Sequence, residues 1–510
     1  MNCINKLAIA TLATTLALGW AGASRAEDKP SDKEAAQPAA TSQPAATQPT
    51  AAQPSSDQRL EELEKEVAAL QQEIAALKED SAPGLKTAAL VQPVAATGGI
   101  TPNAPADEAP KVNLAGLLGP VTLSGFGDAY YSYDPNHPPD NQAGLRSFEG
   151  PTNGFNFNMA ELILDKPPDA MSAEGRLGYH VSAGYGTAAR IVNESDNTGF
   201  GDGSNFFLKE AYLSYLAPVG KGLTVSVGKF VTPMGAEVIE SNANWNYTRG
   251  LLFDYAIPFF HFGASAKYAF NSKVAVTGYL VNGWNNTIIN HDCCAFGVSS
   301  GLTYGASLAI TPNMKWSVTE NYFAGPVVDA FNENGSTFND WKQISDTVIG
   351  YTPNSKWAFQ LNGDYGFGPR VFDPRVCDFA IVSPASRTPE GLPSSCLSSS
   401  VDWWGVAGYA KYTLSPKTNF AVRYEYYDDP EGFSGIIPAI DSVPQRGWAQ
   451  EVTGTYSYNV TSSFLFRAEY RYDFASQPIF EQSFSADRSV KEQNTATLGF
   501  VYTFSSANLK

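Results

Sequence analysis

FLFRAEYRYD, residues 464–473, places Phe464, Phe466, Ala468, Tyr470 and Tyr472 on one side of an extended chain and Arg467, Glu469, Arg471 and Asp473 on the other. Side chains of a strand alternate between two faces, so one face here is oily and the other fully charged. The charged face cannot contact lipid. Leu177, Tyr179, Val181, Ala183 and Tyr185 alternate in the same way with Arg176, Gly178, His180, Ser182 and Gly184. Leu302, Tyr304, Ala306, Leu308 and Ile310 repeat the pattern, and so do Ala496, Leu498, Phe500, Tyr502 and Phe504 opposite Thr495, Thr497, Gly499, Val501 and Thr503. A soluble sandwich also alternates, so the decision falls to the lengths of the connections.

Working outward from these segments, strands centre near residues 127, 160, 181, 212, 227, 266, 279, 306, 320, 348, 362, 408, 423, 453, 468 and 498, about sixteen in all. Short turns rich in Pro, Gly, Asn and Ser fall at 166–173, 217–222, 271–273, 311–315, 353–356, 415–418 and 459–462. Long connections fall at 134–154, 188–206, 232–261, 285–300, 325–342, 368–401, 428–446 and 475–491. Strict alternation of long and short is the asymmetry of a transmembrane antiparallel β-barrel with extended outer loops and tight turns on the other side. The fold class expected is all-β, with a membrane barrel over 121–510 and both of its ends on the short-turn side.

The first 120 residues read differently. Lys6, an apolar run from Leu7 to Trp20 and small residues up to Ser24 and Ala26 make 1–26 a secretory signal peptide. Residues 27–56 are an Ala/Pro/Gln spacer with too few large apolar side chains to bury a core, expected to be disordered. Within 57–80, Leu60, Leu63, Val67, Leu70, Ile74 and Leu77 follow spacings of 3, 4, 3, 4 and 3. That seam predicts a short coiled-coil helix, which at this length is marginal alone and is expected to self-associate. Val and Ile at one seam position with Leu at the other lean towards a dimer. Residues 81–120 form a linker.

Composition narrows the function. Aromatic residues reach 13% and charged residues only 17%, a surface that does not face water everywhere. The net charge of −17 and the lack of a basic stripe argue against a nucleic-acid partner. The mature cysteines Cys293, Cys294, Cys377 and Cys396 all lie in long connections and are disulfide candidates outside the cytosol, with three pairings open. Cys377 and Cys396 would close a loop worth about 3 kcal/mol. Adjacent Cys293 and Cys294 pair with each other only under strain, which leaves a link between loops possible. The cysteine spacing is not that of a zinc motif, so no metal and no cofactor are expected. Asp196, Asn197, Asp202, Gly203 and Asn205 miss the EF-hand spacing and read better as Asx turns than as a Ca²⁺ loop.

The third long connection carries the most specific signal. It runs from Gly228, Lys229, Phe230, Val231, Thr232, Pro233, Met234 and Gly235 through Asn246, Tyr247, Thr248 and Arg249 to Ile257, Pro258, Phe259, Phe260 and His261, followed by Asn282, Gly283 and Trp284. These blocks resemble the OmpL-like β-barrel porin family, from about Leu123 to Phe504. The resemblance implies a porin of the bacterial outer membrane, a passive channel for small hydrophilic solutes, with the third loop folded into the lumen as a constriction. It also implies a trimer, against the dimer suggested by the heptads. Such porins usually finish on an aromatic residue, whereas Ser505 to Lys510 follow Phe504 here.

A loop inserted in a wet barrel would present Glu237, Glu240, Arg249 and Asp254 opposite Arg423, Arg467 and Arg471 of the wall, with Glu425 and Glu469 on the same inward faces. Opposed acids and bases would set a transverse field that penalises apolar solutes. The plainer reading is that these charges pair with one another and hold the loop. Tyr130, Tyr131, Trp357, Trp403, Trp404 and Tyr458 are expected in the interfacial girdles rather than in a stacked-ring sugar path inside the pore. Among rival functions, catalysis has only His137, His180, His261 and His291 to draw on and no G-x-S-x-G run. A structural or adhesive barrel tethered to the envelope through the coiled coil is the main alternative. The low-complexity start could not fold as the plug of a larger transporter.

Overall fold

The structure, a computed structural model, describes residues 121–173, 175–193, 205–289, 299–331, 337–368, 400–440, 443–483 and 489–506. The expected signal peptide, the expected spacers and coiled coil, Cys293, Cys294, Cys377, Cys396, His291 and the Asp/Asn cluster before Asn205 lie outside these residues.

Sixteen antiparallel strands form one closed barrel. They are β1 (Thr122–Tyr133), β2 (Gly154–Lys166), β3 (Leu177–Tyr185), β4 (Phe206–Ala217), β5 (Leu223–Val231), β6 (Phe260–Asn271), β7 (Val274–Val281) and β8 (Thr303–Asn313). There follow β9 (Trp316–Phe331), β10 (Thr337–Tyr351), β11 (Trp357–Gly368), β12 (Val401–Ser415), β13 (Thr418–Asp429), β14 (Gly447–Asn459), β15 (Phe464–Ala475) and β16 (Glu492–Ser505). Every expected strand centre falls inside one of them. Each strand pairs with its neighbours in sequence, and β16 closes on β1 with Phe504 opposite Gly125 and Ala496 opposite Tyr133. Closure leaves no free sheet edge, which is the condition for crossing lipid with strands.

The tight reversals have a common chemistry. Asn271 Oδ1 accepts from Lys273 N at 2.8 Å and Val274 N at 3.0 Å, and Asn354 Oδ1 does the same for Lys356 N and Trp357 N at 2.9 and 3.0 Å. Asn313 Oδ1 accepts from Lys315 N at 2.9 Å. A short side-chain amide substitutes for the missing ladder partner as the chain turns. Two of the long connections carry small hairpins, Ile437–Ile440 with Val443–Gln445 and Phe480–Glu481 with Ser489–Val490. The fifth long connection is shorter than the expected 325–342, because β9 runs on to Phe331 and β10 starts at Thr337. The alternation there is broken by Gly325 and Pro326, yet pairing continues through Pro326 opposite Trp341.

The faces segregate as the alternation requires. Leu213 (69% exposed), Leu361 and Leu498 point outward, whereas Arg467, Glu469, Arg471 and Asp473 are buried inside. Rings band the outer face at both ends. At the long-loop end Trp404, Tyr426, Trp448 and Phe474 follow one another across β12 to β15 with centroids 5.2, 6.1 and 5.5 Å apart. At the short-turn end Trp316 stacks on Tyr351 at 4.2 Å, and Trp357 lies 4.7 Å from Tyr412. Amphipathic rings at two levels match the two headgroup layers. Two girdle expectations fail. Tyr130 and Trp403 are 0% and 1% exposed and face the interior. Their neighbours Tyr131 and Trp404 take the outward positions, since consecutive residues of a strand cannot share a face.

Candidate functional site: the segment across the lumen

The connection between β5 and β6 leaves the wall through a backbone bond, Thr232 N to Phe259 O at 3.0 Å, that closes the neck of the loop. At the base of this neck Gly228 and Gly263 pair across the two strands with φ of 142° and 159°. A Cβ at Gly228 would collide with the Ala211 carbonyl of β4, and one at Gly263 with the Leu280 carbonyl of β7, so each strand lies this close to its outer neighbour only because the residue is glycine. The segment 232–259 then turns inward. Val238 N donates to Asn244 Oδ1 at 2.9 Å and Asn244 Nδ2 returns to Val238 O at 2.8 Å, cinching its tip. Gly250 N donates to Glu237 Oε2 at 2.6 Å, and the Arg249 guanidinium donates to Ile239 O.

The segment meets the wall around most of the barrel. On one side Asn321 Nδ2 of β9 donates to Pro233 O at 3.1 Å, Ala236 N donates to Asn362 Oδ1 of β11 at 2.9 Å, and Trp403 Nε1 of β12 donates to Ala256 O at 3.1 Å. Lys209 of β4 pairs with Glu240 and, at 2.6 Å, with Glu161. Next to β12 along the wall the charged strands take over. Arg423 of β13 binds Glu237 at 2.5 Å, Glu451 at 2.6 Å and Thr248 O at 2.6 Å. Glu425 accepts from Leu251 N and packs so closely on Gly250 that any side chain there would strike the carboxylate. Arg467 of β15 donates to the carbonyls of Ser241, Asn246 and Asn244 at 2.6, 3.0 and 2.5 Å. Glu469 accepts from Tyr247 N at 2.5 Å and Thr248 N at 3.0 Å, and Arg471 donates to Arg249 O at 2.5 Å. Tyr247 reaches β1, donating to Asp128 Oδ1 at 2.5 Å.

The nine residues singled out from the sequence are thus brought together, but as clasps. Glu237, Arg249, Arg423, Glu425, Arg467, Glu469 and Arg471 are each at most 5% exposed. Glu240 keeps 22% of its side chain exposed despite its contact with Lys209. Asp254 is half-buried, and its Oδ2 accepts from Ser147 N at 3.2 Å. Burial holds the Asp254 carboxyl above the ordinary carboxylate range, at about 6, against the lowering effect of that bond. The pairing reading fits this geometry better than a row of charges displayed to passing solute.

Several participants were invisible in the sequence. Arg146 and Glu149 come from the first long connection: Arg146 grips Asp473 through two bonds of 2.7 and 3.2 Å, and Glu149 pairs with Arg249. Phe148 from the same connection packs on Phe253 and Phe259, with centroids 5.9 and 5.8 Å away. Tyr130 lies 5.9 Å from Tyr247, and its hydroxyl donates to Pro151 O at 3.0 Å. Irregular loops have no periodicity from which such contacts could be read. A doubled ring, as at Tyr130-Tyr131 and Trp403-Trp404, was a usable signal, because one of each pair has to face inward.

The barrel is similar to the anion-selective porin from Comamonas acidovorans, at 11% identity and a TM-score of 0.47, covering 76% of this chain and 99% of that one. It is similar also to the outer membrane channel DcaP of Acinetobacter baumannii, at 10% identity and a TM-score of 0.47, with coverage of 75% and 97%. The trimer form of OmpT from Vibrio cholerae aligns at 12% identity and a TM-score of 0.43, with coverage of 76% and 99%. No curated protein matches the sequence. Residues 120–504 match the family described as "Putative beta-barrel porin-2, OmpL-like". The chain therefore belongs to this OmpL-like porin family and is a β-barrel protein of the outer membrane.

Proposed function

We propose that the chain is a passive diffusion channel for small hydrophilic solutes or ions whose aperture is set by the third long connection. One observation carries the reading: segment 232–259 crosses the lumen and is fastened on opposite sides, to Lys209 of β4 and to Arg423, Glu469 and Arg467 of β13 and β15. A polypeptide held this way narrows the channel without depending on lipid or partner. In this reading Glu237, Arg249, Asp254, Arg423, Glu425, Arg467, Glu469 and Arg471 fix the constriction by position, and Glu240 is the member that meets the solute.

Single-channel recording in planar bilayers tests the assignment. Glu240→Ala should shift the reversal potential in a salt gradient, because it removes a carboxylate from the aqueous side of the segment. Arg467→Ala should widen the distribution of conductance levels by freeing the carbonyls of 241, 244 and 246. Unchanged selectivity in the first and unchanged conductance in the second would place the aperture elsewhere. We further propose self-association through 57–80, which deletion of those residues should abolish in cross-linking of the mature chain. A purely structural barrel predicts a folded protein that carries no current.

A further inference from the structure

Away from the clasps, the interior wall of β4 to β8 carries a recess of another kind. Cross-strand register places Thr224, Lys267, Thr277 and Ser307 side by side in one row, each opposite the next across β5, β6, β7 and β8. Above this row stand Ser226, Ser265 and Tyr279, and below it Ala275 and Ala309. Small side chains on both sides leave a concavity of about 80 Å³, open to solvent, with Phe230 on one wall. It lies at the short-turn side of the point where the third connection leaves β5.

Among the described residues, Lys267 is the only charged one lining this concavity. The surrounding acids are engaged elsewhere. His180, stacked on Tyr212 at 5.1 Å, holds Asp165 at 2.9 Å and Glu210 at 3.3 Å. Asp346, further along the same row beyond Asn321, accepts from the amides of Asn321 and Asn362 at 2.7 and 2.8 Å. An ammonium half-withdrawn from water, with no carboxylate partner among the described residues, is a standing attraction for an anion. A single charge fits a monoanion, and hydroxyls on either side of it, repeating at about 5 Å from strand to strand, can each donate or accept.

We propose that this recess is a binding site for small hydroxylated monocarboxylates of the sugar-acid class. The solute's carboxylate sits on Lys267 Nζ, its hydroxyls exchange hydrogen bonds with Thr224, Thr277, Ser265 and Ser307, and its carbon skeleton lies against Phe230. The site deepens the channel reading and rests on it for its role in passage, naming the solute that would dwell just beside the constriction.

The experiment uses the mature chain with two readouts, calorimetric binding in detergent and ion current in a planar bilayer, with gluconate as the probe and glucose, acetate and phosphate as comparators. Gluconate should bind saturably and reduce the current over the same concentration range. Glucose lacks the charge and acetate the hydroxyls, so each should bind at least about tenfold more weakly. Lys267→Gln should weaken gluconate binding by at least about tenfold, and Thr277→Val with Ser307→Ala by a smaller factor, with unaltered heat-modifiable migration certifying the folded barrel. Gluconate binding that survives Lys267→Gln, or acetate or phosphate binding as tightly as gluconate, overturns the site. Ohmic current without gluconate binding overturns the site and leaves the channel; gluconate binding without current overturns the channel and leaves the site.

Discussion

Arg423 shows how much one residue can hold. Its guanidinium serves two carboxylates and a loop carbonyl, all inside the barrel. Removing one member of a buried pair leaves the other charge desolvated and uncompensated, at a cost of about 3–5 kcal/mol. Arg423→Met is therefore expected to lower the urea midpoint of the detergent-folded barrel well below that of Lys417→Met, a change in an exposed turn. Equal midpoints would mean that the clasp bears no load. Asp254, in the connection rather than in a spanning strand, provides a second test. Its carboxyl titrates near 6 in the folded protein, above the ordinary value of 3.8. A raised carboxyl contributes stability that is complete below the unfolded pKa and is lost as pH rises through the folded one. The midpoint should fall between pH 4 and pH 7, and Asp254→Asn should flatten that part of the profile. A profile identical in both proteins would assign the pH dependence to other groups.

At the scale of the strand, parity decides the fate of neighbours that composition treats alike. Trp403 is buried with its indole on Ala256 O, whereas Trp404 joins the outer ring of Tyr426 and Trp448. In vesicles of brominated lipid, Trp404→Phe should remove part of the quenchable fluorescence and Trp403→Phe should not. The reverse result would invert the register of β12. All sixteen strands were legible in the sequence for this reason: period two, turn residues and loop length are local signals. The clasps were legible only by half. Inward parity marked Arg423, Glu425, Arg467, Glu469 and Arg471, but the groups of the crossing segment that they hold include backbone atoms more than 170 residues away, such as Leu251 N for Glu425 and Asn244 O for Arg467. No local pattern encodes such a contact, and the same limit concealed Arg146 and Glu149. The row of Thr224, Lys267, Thr277 and Ser307 likewise exists only once the register across four strands is set.

Taken whole, the molecule resolves two opposed demands. Its outside must suit hydrocarbon, and alternation with full closure achieves that without a free edge. Its inside is lined by polar and charged side chains, and a sixteen-stranded barrel is wide enough to hold a segment of chain within it. Segment 232–259 supplies the crossing, and buried charges hold it because hydrogen-bonded ion pairs specify a position that apolar packing alone would leave loose. The most direct test is the current carried by the mature chain in a planar bilayer. Discrete steps that are linear in voltage and grow with salt are predicted; a correctly folded, membrane-inserted barrel that passes no current would contradict the account.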